Sequence, residues 1–252
     1  MGISLRGLKE AKNADSVFIE LYTSFLPSFS LKRFEETCGK KVQALSRVDI
    51  EEDGGKRMLL EAERGGVVFL VPGDPLIATT HVALRIEAER RGIRTFVVHG
   101  ASILSAVMGL SGLHNYKFGK TVTIPFSDRN PSETPYEVIS ENSSRGLHTL
   151  CLLDIRAGET RYMTIHDALT ALVEVESKRR EGIIAVGTLS VGIARAGSED
   201  PQVKAGSVKD LLDYDFGKPP HALIIPGKLH FTEAEALIVL AGAPQALLET
   251  CK

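Results

Sequence analysis

The feature that most constrains this chain is the alternation of short apolar runs with amphipathic stretches over its first hundred residues. Residues 16–21 (SVFIEL), 42–46 and 67–71 (VVFLV) are of strand length. Between them, 31–38 and 56–64 carry helical spacing, and Gly39 is placed to end the first. Residues 4–13 open the series as a helix. Residues 80–91 (THVALRIEAERR) form another, with Val82, Ala83 and Ile86 on one face and arginines opposite. Gly92 closes that helix, and 95–99 is the next expected strand. Alternation of this kind predicts a parallel sheet with helices on its faces.

The pattern changes after residue 113. Residues 116–126 read as extended, and the Pro/Ser/Asn-rich stretch 127–135 reads as a loop. Residues 136–145 are helical, and 149–155 (TLCLLDI) form a strand. Thr164 with Asp167 resembles a capping box that opens a helix to about Arg180, and Thr232 with Glu235 repeats that signature near the end. Strands are expected at 189–195 and 222–225. The change of pattern places a domain boundary near 114–117, giving units 1–115 and 116–252 of ordinary domain size.

Composition removes several function classes. Apolar residues make up 43% of the 252, enough for a core, and a charged quarter argues against disorder. A formal charge of −2 lacks the basic footprint of a nucleic-acid binder. Three widely spaced cysteines indicate neither a disulfide framework nor a zinc site and suit a reducing cytoplasm. The start MGISLR carries no signal-peptide core, and the longest apolar runs, such as 66–72, are too short to span a membrane. The seven histidines show no metal-ligand spacing. No P-loop, HExxH, CxxC, GxSxG or GxGxxG is present.

In open α/β sheets, ligands bind beyond the carboxyl ends of strands. One such end is Val71-Pro72-Gly73-Asp74-Pro75, where two prolines stop the strand and Gly73 permits a turn that presents Asp74. An ordinary turn with a solvated aspartate explains it equally well. A second end, His99-Gly100-Ala101-Ser102-Ile103, offers small residues for close approach. There the Ser102 hydroxyl suits a helix cap or a ligand contact. In the second half, Leu153, Ala196 and His221 lie at strand ends. Core packing, a tight turn and a structural histidine are their plainer readings.

Several long runs carry a resemblance that covers almost the whole chain. These are VPGDPLIATTHVALRIEAERRGI (71–93), ASILSAVMGLSGLHNYKFGKTVTIPF (101–126), RGLHTLCLLDI (145–155), RYMT (161–164), ARAGS (194–198) and FGKPPHALIIPGKLHFTEAE (216–235). In these runs the sequence resembles the diphthine synthases, a branch of the tetrapyrrole-methylase-like methyltransferases, and its length suits an archaeal member. The resemblance implies two α/β domains with S-adenosylmethionine folded into the interdomain cleft, S-adenosylhomocysteine as its product, and a homodimer in the cytoplasm. It implies N-methylation of a 3-amino-3-carboxypropyl-modified histidine on translation elongation factor 2, with no nucleic acid and no membrane involved. The family's cofactor contacts fall on Asp74, Ile77, Ser102, Ile103, Leu153, Ala196 and His221, the strand ends already marked together with Ile77. No general base is assigned. Two alternatives remain: another tetrapyrrole-type methylase, or a degenerate member that only binds a partner. The match begins at Ile3-Ser4-Leu5-Arg6-Gly7-Leu8, which corresponds to the helix after the family's first strand. The expectation is therefore that the native chain is longer, with the family's first strand between 67–71 and 95–99.

Overall fold

A computed structural model describes residues 2–24, 26, 29–127 and 129–251. Asp128, within the expected loop 127–135, lies outside the described residues. The chain divides into two compact units, residues 1–102 and 103–252.

The first unit contains α1 (Leu5–Asn13), β1 (Ser16–Glu20), α2 (Leu31–Cys38), β2 (Val42–Leu45), α3 (Lys56–Ala62), β3 (Val67–Leu70) and α4 (Val82–Arg90). Its sheet is parallel, in the order β2-β1-β3. The expected stop signals work as read. Gly39 adopts φ 73° and caps α2, while the Ser4 and Ser30 hydroxyls accept N–H bonds at the starts of α1 and α2. Val17, Ile19, Phe34, Cys38 and Val42 form one core with Ala11 of α1.

Residues 95–99 depart from expectation. They form no strand and belong to no ladder, and Phe96 is 59% exposed. β3 pairs with β1 along one edge only among the described residues, so its apolar run is partly rather than fully buried. The reason is general: a β-prone run becomes a strand only when a neighbour takes its N–H and C=O groups, and propensity supplies no neighbour.

The second unit contains α5 (Ile103–Ser111), β4 (Val122–Ile124), α6 (Thr134–Ser144), β5 (Thr149–Leu153), β6 (Ile155–Arg156), β7 (Arg161–Tyr162), α7 (Ile165–Arg179), β8 (Leu189–Ala194), β9 (Gln202–Ser207), α8 (Val208–Leu212), β10 (His221–Ile225) and α9 (Phe231–Ala241). Five strands pair in the order β4-β5-β10-β8-β9, parallel only between β4 and β5. Period-two alternation loads both faces. Cys151, Leu153, Leu223 and Ile225 point to one core with Leu169 and Leu172 of α7. Leu150, Val191, Ile193 and Ile224 point to the other, with Val107 of α5 and Leu237 of α9. Val107, fully buried there, is why residues 103–115 fall with this unit, whereas the sequence division ran at 115/116.

The capping box Thr164/Asp167 forms as expected. The last helix starts two residues earlier than its sequence signature: Glu233, not Glu235, bonds back to the helix start, accepting the His230 N–H at 2.7 Å. The hairpin β6–β7 and the pair β9–α8 have no counterpart in the sequence reading.

Candidate functional site

In the first unit, the chain leaves β3 through Pro72 and turns at Gly73, whose φ of 80° suits glycine. Asp74 follows, 6% exposed. Its carboxylate accepts the Leu76 N–H at 2.9 Å and contacts His99 Nδ1 at 2.8 Å, with the Gly100 N–H as a further donor. Burial alone would raise this carboxyl, but the Leu76, His99 and Gly100 donors outweigh it and hold Asp74 below the ordinary aspartate value. A carboxylate offers about four acceptor directions, so three protein donors leave room for a ligand hydroxyl or amine.

The two small-residue turns meet here. A methyl group added at Gly100 would lie 2.3 Å from the Gly73 carbonyl oxygen, so only glycine allows this approach. Ile77 is 38% exposed beside the same turn, and Ser102 is half-buried. In the sequence His99 stands only at a strand end, and its pairing with Asp74 is not legible there.

In the second unit, Leu153 ends β5 and is buried in the core, 8% exposed. Ile103 begins α5 and packs, half-buried, against the opposite core, as does Ala196 just beyond β8. His221 begins β10, in register with Ala194. Its Nδ1 accepts the Ile165 N–H at 3.3 Å, so the neutral ring carries its proton on Nε2. That Nε2 is buried and has no hydrogen-bond partner among the described residues. Burial pushes the imidazole below the usual histidine value, the carbonyls of Lys218 and Gly217 offset part of that push, and the Arg195 charge adds to it. His221 is thus a neutral donor whose Nε2, near the Lys218 and Gly217 carbonyls, makes a well-formed hydrogen bond to neither, and a buried polar atom left so costs about 1–3 kcal/mol unless a ligand or water meets it.

Arg195, which the sequence places at a strand end with no role of its own, positions this end. It adopts φ 53°, unusual for a non-glycine residue, and its N–H donates to the Pro220 carbonyl at 2.7 Å. Its guanidinium donates to the carbonyls of Phe216 (2.8 Å), Lys218 (3.1 Å) and Asp200 (3.2 Å). Ala196 and the loop before His221 are thereby stitched together. An arginine amid small residues at a strand end was the available signal.

Three of the runs that carried the resemblance converge elsewhere in this unit. Glu233, fully buried, accepts the N–H of His114 at 2.8 Å and of His230 at 2.7 Å, contacts His148 Nε2 at 2.9 Å, and pairs with the Lys117 ammonium. Burial would raise this carboxyl, but the His230, Lys117, His114 and His148 donors hold it down to about 2. Among the described residues, no group of three or more His, Cys, Asp and Glu is placed to hold a metal ion.

Comparison with known proteins agrees across nearly the whole length. The family model for Tetrapyrrole (Corrin/Porphyrin) Methylases matches residues 2–212. A diphthine synthase from Methanosarcina mazei is 51% identical over 98% of this chain and 94% of the relative. One from Methanocaldococcus jannaschii is 50% identical over 93% and 92%. A crystal structure of diphthine synthase superposes with a TM-score of 0.90 at 43% identity, covering 99% of this chain and 94% of that one.

Proposed function

The chain belongs to the diphthine synthase family of tetrapyrrole-type methylases, and on that premise we propose that it N-methylates a 3-amino-3-carboxypropyl-modified histidine of translation elongation factor 2, using S-adenosylmethionine. The observation that carries the reading is the 51% identity to a diphthine synthase over 98% of the chain. The residues present also fit such a cofactor. The unpartnered Nε2 of His221 and the partly satisfied, ionised carboxylate of Asp74 are a donor and an acceptor for its polar groups.

S-adenosylmethionine supplies a methyl group on a sulfonium, an electrophile reactive enough that alignment and exclusion of water are the protein's main tasks. Asp74, Ile77 and Ser102 in the first unit, and Ile103, Leu153, Ala196 and His221 in the second, are its proposed contacts. Asp74 accepts from hydroxyl or amine, neutral His221 donates through Nε2, and Leu153, Ala196, Ile77 and Ile103 provide shape. The acceptor amine attacks in its unprotonated form. No side chain is assigned as its base.

The decisive experiment is incubation of elongation factor 2 bearing the unmethylated side chain with labelled cofactor, read by mass spectrometry. Label on the modified histidine is the expected result. Label on a corrinoid instead, or cofactor binding without transfer to either, overturns the reading. We further propose that the chain works as a homodimer in the cytoplasm. No described helix is long and apolar enough to cross a membrane. Light scattering that returns a monomer at micromolar concentration overturns the dimer.

A further inference from the structure

Within the second unit, the hairpin β6–β7 leaves the sheet just beyond Leu153 and returns at Met163, whose N–H donates to the Asp154 carbonyl at 3.0 Å. Two residues on, the Ile165 N–H meets His221. The hairpin therefore stands on the strand ends that carry Leu153 and His221.

Arg156 and Arg161 are direct cross-strand partners in this hairpin, which puts both side chains on one face. Both guanidiniums lie over the ring of Phe126, Arg156 at 5.4 Å and Arg161 at 4.0 Å from its centroid. Phe126 is itself tied down, its N–H donating to the Asp154 carboxylate at 2.9 Å. Arg156 pairs with Glu159 at 3.7 Å. Arg161 is exposed, and among the described residues no carboxylate lies within ion-pair distance of it. Like charges directly opposed across two strands are unfavourable, so stacking explains where the two cations rest but not why both are there. A guanidinium held over an aromatic ring still has a fork of N–H donors to offer, a shape that matches a carboxylate.

We propose that Arg161, held on Phe126 beside Arg156, is a carboxylate-binding site that receives the carboxylate of the 3-amino-3-carboxypropyl group on the acceptor. The assignment rests on the function proposed above. It gives this chain a means of recognising the modified histidine rather than a bare one. S-adenosylmethionine carries a carboxylate of the same chemistry, so the test separates the two.

Arg161→Gln and Arg161→Lys are made in the full chain. For each, KM and kcat are measured on elongation factor 2 bearing the unmethylated side chain, with the cofactor Kd by calorimetry and Tm. Arg161→Gln is expected to raise KM about tenfold or more, with cofactor Kd unchanged, and Arg161→Lys to recover part of the loss. Tm is expected to hold or rise, because removing one of two opposed cations relieves repulsion, whereas a purely structural stack would lose stability. A weakened cofactor Kd with unchanged KM at saturating cofactor transfers the site to the cofactor's carboxylate and overturns the acceptor assignment. Unchanged KM and Kd overturn it outright. A wild-type chain that fails to methylate the acceptor removes the enclosing function and this assignment with it. One that methylates while Arg161→Gln matches it removes the assignment alone.

Discussion

Arg195 donates through Nη1 to the carbonyl oxygen of Phe216 at 2.8 Å, tying the strand end that carries Ala196 to the loop that delivers His221. The side chain is largely buried, 15% exposed, and also meets the Lys218 and Asp200 carbonyls. Arg195→Ala leaves those carbonyls without their donor. It is expected to cost about 1.5–3 kcal/mol by urea unfolding and to weaken cofactor binding as well. Unchanged binding in a destabilised variant would show that the clamp serves folding alone.

Asp74→Ala removes a buried carboxylate acceptor of the first unit's turn and frees the His99 and Gly100 donors. If Asp74 accepts from the cofactor as proposed, losing that charge-assisted hydrogen bond is expected to cost about 1.5–3 kcal/mol, which is roughly tenfold or more in affinity. Calorimetry on a folded variant checks this, and an undiminished affinity removes Asp74 from the site.

Gly100→Ala tests whether the touching turns matter. The added methyl group would sit 2.3 Å from the Gly73 carbonyl oxygen, a backbone atom that cannot swing aside. The turns must separate, so a loss of about 1–3 kcal/mol in stability is expected, together with weaker cofactor binding. A variant as stable as the parent, with the same Kd, contradicts the close approach.

Glu233 gives a pH dependence with a defined sign. Its carboxyl titrates near 2 in the folded chain against an ordinary value of 4.5. Between those values the unfolded chain binds the proton and the folded one does not. The stability from this group is therefore complete above about 4.5 and is lost as pH falls towards 2. Glu233→Gln is expected to be destabilised at neutral pH, since breaking a buried charged pair costs about 3–5 kcal/mol. The gap between wild type and variant should narrow as pH drops through that window. His221, shifted downward with no contribution from Glu233, titrates in both proteins and cancels in the comparison, whereas His148, whose downward shift Glu233 partly offsets, loses that offset in the variant and adds its own difference. A gap that stays constant from pH 7 to pH 3 refutes the assignment.

The sequence by itself determined the local choices: where α1, α2 and α7 begin, that Gly39 ends α2, and that 16–20, 42–45 and 67–70 are strands. Those signals are written in neighbouring residues, as caps, left-handed glycines and apolar period. The resemblance to diphthine synthases was also in the sequence, because whole runs of residues carry it. What tertiary structure decided is whatever needed a distant partner. Residues 95–99 have strand composition and no ladder. Glu233 rather than Glu235 caps the start of the last helix, and Lys117 and His148, far back in the chain, fix its carboxylate. The Asp74–His99 contact, the Arg195 clamp and the pair of arginines on Phe126 join residues whose spacing carries no message. A hydrogen bond or a stacked cation depends on positions in space, and only the folded backbone sets those.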